Sequence, residues 1–246
     1  MTVHFIGAGP GAADLVTVRA ARLIARASVC LYAGALVPRE LLDTAPEGAR
    51  LVDTADLDLD QITAELLAAH EAGLDVARLH SGDPSVYSAM AEQMRRLDAH
   101  GVPYEVVPGV PAFAAAAASL KRELTVPGVG QTVVLTRTSA RSTPMPAGEE
   151  LAAYAATGAT LVLHLAVQRI GELAPQLAGH YGPDGPVAVV ARASRDDELL
   201  LRGTLADIAA QVEAAGVRRT AVVVVGPVLT AGHFPDSHLY STTRPR

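Results

Sequence analysis

Val3-His4-Phe5-Ile6-Gly7-Ala8-Gly9-Pro10-Gly11-Ala12 begins as an apolar run and breaks into three glycines and a proline. A run bounded by such breakers predicts a strand over 3–6 and a tight loop over 7–11. A helix follows over 17–27, with Val18, Leu23 and Ile24 toward one face, then a second strand over 29–32. Asp58 with Gln61 three residues later forms a capping box, opening a helix in which Leu59, Ile62, Leu66 and Leu67 recur at helical spacing. Strands are predicted over 76–79 and 104–107. Between them runs a helix carrying Val86, Met90, Met94 and Leu97, and after them a buried Ala-rich helix over 112–120. Strand–helix alternation of this kind predicts an α/β protein with a mostly parallel first sheet.

Beyond Pro127, Gly128 and Gly130 a second set of elements begins. Strands are predicted over 131–135, 160–165, 187–191 and 221–225, with helices near 149–156, 168–177 and 205–215. An extra strand over 198–202 makes the second sheet mixed. The chain therefore divides into two α/β domains, 1–122 and 123–246.

Composition narrows the function classes. The 246 residues carry a net charge of −6, and the pI is about 5.7, which argues against a general nucleic-acid binder. No run approaches the ~18 apolar residues of a spanning helix, so no membrane partner is expected. The single cysteine, Cys30, forms no internal disulfide and fits a reducing, cytoplasmic compartment; no signal peptide is expected. The eight histidines form no i, i+4 pair and have no cysteine partner, so no metal site is expected. All the basic residues except Lys121 are arginines, planar forks suited to gripping carboxylates.

The first loop admits more than one reading. Gly7-Ala8-Gly9-Pro10-Gly11-Ala12 matches the dinucleotide fingerprint G-x-G-x-x-G/A. Yet the helix is delayed to about Thr17, and the second strand ends without the acid that holds a ribose, so both features weigh against a nicotinamide cofactor. A turn that needs its glycines only for backbone geometry stays open. Ser81-Gly82-Asp83-Pro84-Ser85 follows a later strand. Asp83 there reads as an N-cap and Pro84 as a first helical residue, which leaves Gly82 unexplained. Pro108-Gly109-Val110-Pro111-Ala112 follows the next strand. Three Gly/Pro loops at one sheet edge shape a site built from backbone groups and small residues.

Taken together, these loops resemble those of the tetrapyrrole methylases, S-adenosylmethionine-dependent methyltransferases of the sirohaem and cobalamin pathways. The resemblance runs from Val3 to about Leu229. Tyr32-Ala33-Gly34-Ala35-Leu36-Val37 is similar to a Tyr-Ala-Gly-Ser-Leu-Val motif of the family. Glu123-Leu124-Thr125-Val126-Pro127, Gln131-Thr132, Thr136-Arg137 and Arg141-Ser142-Thr143-Pro144-Met145-Pro146 resemble the inter-domain segment of the branch that methylates C11 of precorrin-4. The resemblance implies a homodimer, with S-adenosylmethionine (product S-adenosylhomocysteine) folded in a cleft between two α/β domains and a tetrapyrrole as substrate. By matching positions it implies cofactor contacts at Pro10, Ser81, Gly82, Asp83, Val86, Pro111 and Ala112, and at Leu165, Ala193 and Ala221 from the second domain. Ala12, Pro111-Ala112, Leu165 and Ala193 depart from residues common in the family, and each departure changes a side chain rather than a backbone contact.

A substrate rich in carboxylates needs fixed cations, and Arg137 and Arg141 lie where the branch-specific segment joins the halves; both are expected to hold the macrocycle, with Tyr32 also on the substrate side. No residue is assigned as a catalytic base. The competing readings are the same fold acting on another precorrin, a cobalt-precorrin, an RNA or a protein histidine, and a non-catalytic module that binds S-adenosylmethionine or a nucleotide.

Overall fold

A computed structural model describes residues 1–138 and 143–238. The chain divides into two compact units, Met1–Ala115 and Ala116–Arg246. The first holds five strands, β1 (Val3–Gly7), β2 (Val29–Tyr32), β3 (Arg50–Asp53), β4 (Val76–His80) and β5 (Tyr104–Val107). They form one sheet in the order β3-β2-β4-β1-β5, every pair parallel. Parallel strands need crossovers that cover both faces. On one face α1 (Val18–Ile24) and α2 (Arg39–Leu42) pack Ala20, Ile24, Leu41 and Leu42 against Ile6, Cys30, Ala77 and Leu79. On the other, α3 (Leu59–Glu71) and α4 (Met90–Ala99) pack Ile62, Leu66 and Leu97 against Val3, Phe5, Leu31 and Val76.

Local chemistry accounts for the helix starts. The Thr17 hydroxyl accepts from the Ala20 amide, which begins α1 where the sequence delays it. Asp58 and Gln61 form the reciprocal capping box of α3, with N–O distances of 2.8 and 2.9 Å. The expected helix through Val86 is corrected: α4 begins only at Met90, because Tyr87 and Ala89 adopt left-handed φ of 53° and break a right-handed helix. Asp83 accordingly caps a turn, with no helix starting at Pro84.

α5 (Ala112–Leu120) spans the division between the units. The second unit contains β6 (Val133–Arg137), α6 (Leu151–Ala155), β7 (Thr160–His164), α7 (Ile170–Tyr181), β8 (Pro186–Ala191), β9 (Leu199–Thr204), α8 (Ile208–Ala214) and β10 (Ala221–Val225). Its sheet runs β6-β7-β10-β8-β9 and is mixed: β6 and β7 are parallel, the other pairs antiparallel. Leu161, Leu163, Val189 and Val223 bury one face under Leu173 and Leu177 of α7 and Ile208 and Val212 of α8. Among the described residues no helix is long and apolar enough to cross a membrane.

Candidate functional site

The strand order places β4, β1 and β5 side by side and parallel, so the loops after them share one carboxyl edge. The connection leaving β1 runs to β2, beyond β4, while that leaving β4 runs to β5, beyond β1. Adjacent strands whose connections diverge in this way mark the ligand-binding edge of an open α/β sheet.

Backbone packs on backbone there. A Cβ added at Gly7 would lie 2.5 Å from Gly109 Cα and 2.7 Å from the Gly82 carbonyl oxygen. Gly9 and Gly82 exchange two hydrogen bonds, of 3.2 and 2.7 Å. Gly82 needs its freedom for a different reason, a φ of +71°. Asp83 fastens the third loop: one carboxylate oxygen accepts the Gly109 amide at 2.7 Å, the other the Ser85 amide at 2.8 Å and the Ser85 hydroxyl. Burial alone would raise the Asp83 pKa; the Ser85 hydroxyl and the Gly109 and Ser85 amides outweigh it and hold the carboxyl below its ordinary value. The group is thus a fixed anion at the meeting point of three loops.

The other residues singled out in this unit fall around the same edge. Pro10 is buried in the first loop; Ser81 and Val86 are half-buried, on either side of Asp83. Pro111 precedes α5 and Ala112 begins it; the Pro111 carbonyl accepts the Ala114 and Ala115 amides, while those of Ala112 and Phe113 lie outside the helix's own ladder. Tyr32 ends β2, and the turn after it is held from outside. Asp53, at the end of β3, accepts the Gly34 amide at 3.0 Å and the Ala55 amide at 2.9 Å. Asp53 carries no sequence signal, because β3 is a short edge strand with a charge at each end and shows no alternation.

Beneath this edge, on the α4 face, lie two buried polar side chains of β4. Arg78 is 5% exposed and donates to Gln93 Oε1 (2.9 Å) and Thr54 Oγ1 (3.2 Å). Burial lowers its pKa to about 10, so it stays charged. The His80 ring lies 5.8 Å from that of Phe5. Burial, with the Arg78 charge adding to it and a hydrogen bond with the Ser88 backbone opposing it, pushes His80 down to about 3. An unfolded chain protonates this imidazole near 6.5. Between those values the unfolded state binds the extra proton, so stability falls as pH drops, by up to about 1.4 kcal/mol per pH unit. His164, lowered by burial, acts in the same sense. Thermal midpoints should therefore decline between about pH 6.5 and about pH 4.5, and His80→Gln should flatten the decline. Asp83 does not contribute there, since its folded value lies below 3.8. A wild-type midpoint constant across that range would refute the assignment.

In the second unit, β7 and β8 both run antiparallel to β10. The ends of β7 and β8 and the start of β10 consequently lie at one edge, which gathers Leu165, Ala193 and Ala221. Ala221 pairs with Ala191, and the Arg192 amide donates to the Thr220 carbonyl at 2.7 Å. The same edge collects strain: Leu165, Arg192, Ser194 and Thr220 all have φ between 52 and 67°. Leu165 is 63% exposed despite being apolar. Non-glycine residues in this region concentrate at functional sites, because surrounding structure must hold them there. Arg137 ends β6, in register with His164, and donates to the Thr143 carbonyl at 2.8 Å. Arg141 lies outside the described residues.

Comparison with known proteins adds identity to this geometry. Residues 2–209 match the family model of the Tetrapyrrole (Corrin/Porphyrin) Methylases. The chain is 66% identical over 246 residues to a protein of Rhodococcus erythropolis named Precorrin-4 C(11)-methyltransferase, covering 100% of this chain and 99% of that protein. Its fold is similar to that of the cobalamin biosynthetic enzyme cobalt precorrin-4 methyltransferase, CbiF, with a TM-score of 0.90 and 37% identity over 93% of this chain and 95% of that one. It is also similar to a uroporphyrin-III C-methyl transferase from Thermus thermophilus complexed with S-adenyl homocysteine, with a TM-score of 0.79 and 31% identity over 94% of this chain and 99% of that one.

Proposed function

Because the chain belongs to the tetrapyrrole (corrin/porphyrin) methylases, we propose that it transfers a methyl group from S-adenosylmethionine to C11 of precorrin-4, giving precorrin-5 in construction of the corrin ring. What carries the reading is the fastened three-loop edge of the first unit in a chain related along its whole length to a protein of that name.

The residues present fit this cofactor, which bears a sulfonium cation and a carboxylate. Asp83 supplies a fixed negative charge. The first-turn amides of α5, at Ala112 and Phe113, suit the carboxylate. Glycines and short side chains leave backbone groups open to a ligand. When bound, the cofactor supplies the methyl as an electrophile, so the chain needs no covalent nucleophile of its own. The task of its residues is to orient the reactants, with reacting atoms about 3–3.5 Å apart, and to exclude water.

Pro10, Ser81, Gly82, Asp83, Val86, Pro111 and Ala112 are assigned to the cofactor, with Leu165, Ala193 and Ala221 of the second unit contacting its adenosine. Arg137 and Arg141 are assigned to the acetate and propionate arms of the macrocycle, and Tyr32 to its substrate side. A homodimer in the cytoplasm is the proposed working form. Cys30 suits a reducing compartment, since it is buried and burial raises its thiol to about 11.

Methyl-labelled S-adenosylmethionine incubated with the protein and a panel of precorrins, cobalt-precorrin-4 among them, tests the reading. The expected result is label at C11 of precorrin-4, with no binding of NAD(H) by calorimetry. Binding of S-adenosylmethionine without transfer to any tetrapyrrole would overturn it in favour of a non-catalytic module.

A further inference from the structure

Arg78 is a buried cation with neutral partners: among the described residues no carboxylate lies within ion-pair distance of its guanidinium. Burying a charge without a counter-ion costs stability, and an apolar side chain of similar volume commonly does as well or better at such a place. Satisfying the buried Gln93 and Thr54 oxygens accounts for a donor there, but not for a full charge where a neutral donor would serve.

The onward hydrogen bonds do. Thr54 Oγ1, which accepts from Arg78, donates onward to the Tyr32 carbonyl at 2.9 Å. Gln93, whose Oε1 accepts from Arg78, donates through Nε2 to the Ala89 carbonyl at 3.0 Å. A guanidinium only donates. It therefore forces the Thr54 hydroxyl to point its proton at Tyr32, and the Gln93 amide to turn its NH2 toward Ala89. Each arm ends on a loop at the carboxyl edge of the first sheet. One is the turn after Tyr32, with left-handed Gly34; the other is the strained segment holding Tyr87, 46% exposed, and Ala89. Left-handed non-glycine residues persist only where neighbours over-determine them. Here the Gln93 bond to Ala89, the Ser88 hydroxyl on the Pro84 carbonyl and the His80 bond to the Ser88 backbone do so.

We propose that Arg78 is a positioning residue for the acceptor side of the methyl transfer, setting the turn after Tyr32 and the Tyr87–Ala89 segment in fixed relation through Thr54 and Gln93. The role in turnover rests on the functional reading above; the coupling of the two loops does not. The cofactor loops have separate fastenings, Gly9 to Gly82 and Asp83 to Gly109, which leave Arg78 out.

Arg78→Met removes the donor fork while keeping length and apolar bulk. The buried charge it removes offsets the Gln93 Oε1 acceptor it strands, so the melting temperature should stay within about 4 °C of wild type, and affinity for S-adenosylhomocysteine within about threefold. Amide exchange in segments 33–37 and 87–89 should accelerate about tenfold or more, with β1 and β5 unchanged. With precorrin-4, kcat should fall about tenfold or more and KM should rise, Arg78→Lys recovering part of the loss. Thr54→Val should loosen 33–37 alone and Gln93→Met 87–89 alone, which keeps the test intact if Arg78→Met fails to fold. Wild-type exchange in both segments across these variants would overturn the coupling, whatever the enzyme methylates. Altered exchange with unchanged kcat and KM would overturn the positioning role. A wild-type protein that transfers no methyl to precorrin-4 would sink the functional reading, and the positioning role with it, while leaving the exchange result to decide the coupling.

Discussion

Gly109→Ala is expected to be the most damaging single-methyl change in the first unit. The new Cβ would press on the Gly82 carbonyl oxygen and sit 2.7 Å from Gly7 Cα and 3.0 Å from Gly7 C. All these obstacles are backbone. Gly7 is the last residue of β1, in register with His80 of β4, so relief requires moving a central strand or the loop that pairs with Gly9. Overpacking of a rigid site costs about 1–3 kcal/mol and sometimes more; with no side chain able to yield, about 3 kcal/mol is expected here. In a protein of this size that lowers the melting temperature by roughly 6–12 °C. Calorimetric affinity for S-adenosylhomocysteine should fall at least about tenfold, because the loop moved is the one assigned to the cofactor. Gly171→Ala is the control: in α7, with ordinary φ and nothing within 4 Å of the added methyl, it should be neutral or slightly stabilising. A Gly109→Ala protein that melts and binds like wild type would show that the close packing of the three loops is dispensable.

Asp83→Asn should also be harmful, although Asn and Asp cap helices about equally well. The structure removes that equivalence, because Asp83 caps no helix and uses both oxygens as acceptors, one for the Gly109 amide and one for Ser85. An asparagine NH2 in either orientation sets a donor against a donor and strands a backbone N–H. An unsatisfied group of this kind costs about 1–3 kcal/mol when buried; partial exposure argues for about 1–2 kcal/mol and a drop of roughly 2–8 °C. Binding separates two roles of the carboxylate. If its charge faces the sulfonium, affinity for S-adenosylmethionine should fall further than affinity for the uncharged S-adenosylhomocysteine. Equal losses would assign Asp83 to clamping alone, and unchanged affinity for both would remove it from the site.

Much of the fold is legible along the chain where neighbours in sequence carry the signal. The strands over 29–32 and 104–107, the delayed start at Thr17 and the Asp58–Gln61 box all coincide with observed elements, because each rests on contacts within a few residues. Val86 misleads. Its spacing to Met90 and Met94 is helical, but left-handed Tyr87 and Ala89 intervene, and those conformations are held by His80, Ser88 and Gln93 rather than by local preference. Arg78 is legible only as a charge inside an apolar strand. Its meaning lies in Thr54 and Gln93, 24 and 15 residues away.

The sequence by itself determined the alternation of elements, the places where glycine and proline break it and, through motifs at fixed spacing, the family. Only the tertiary structure decided that β4 inserts between β1 and β2, and so that the loops of Gly9, Gly82 and Gly109 touch. Val3 pairs with Val76, across more than seventy residues of chain. Parallel pairing is made by backbone N–H and C=O groups common to nearly every residue, so sequence carries little record of which strands adjoin. That choice is made by helices burying both faces of the sheet at once, and it turns three ordinary turns into one site.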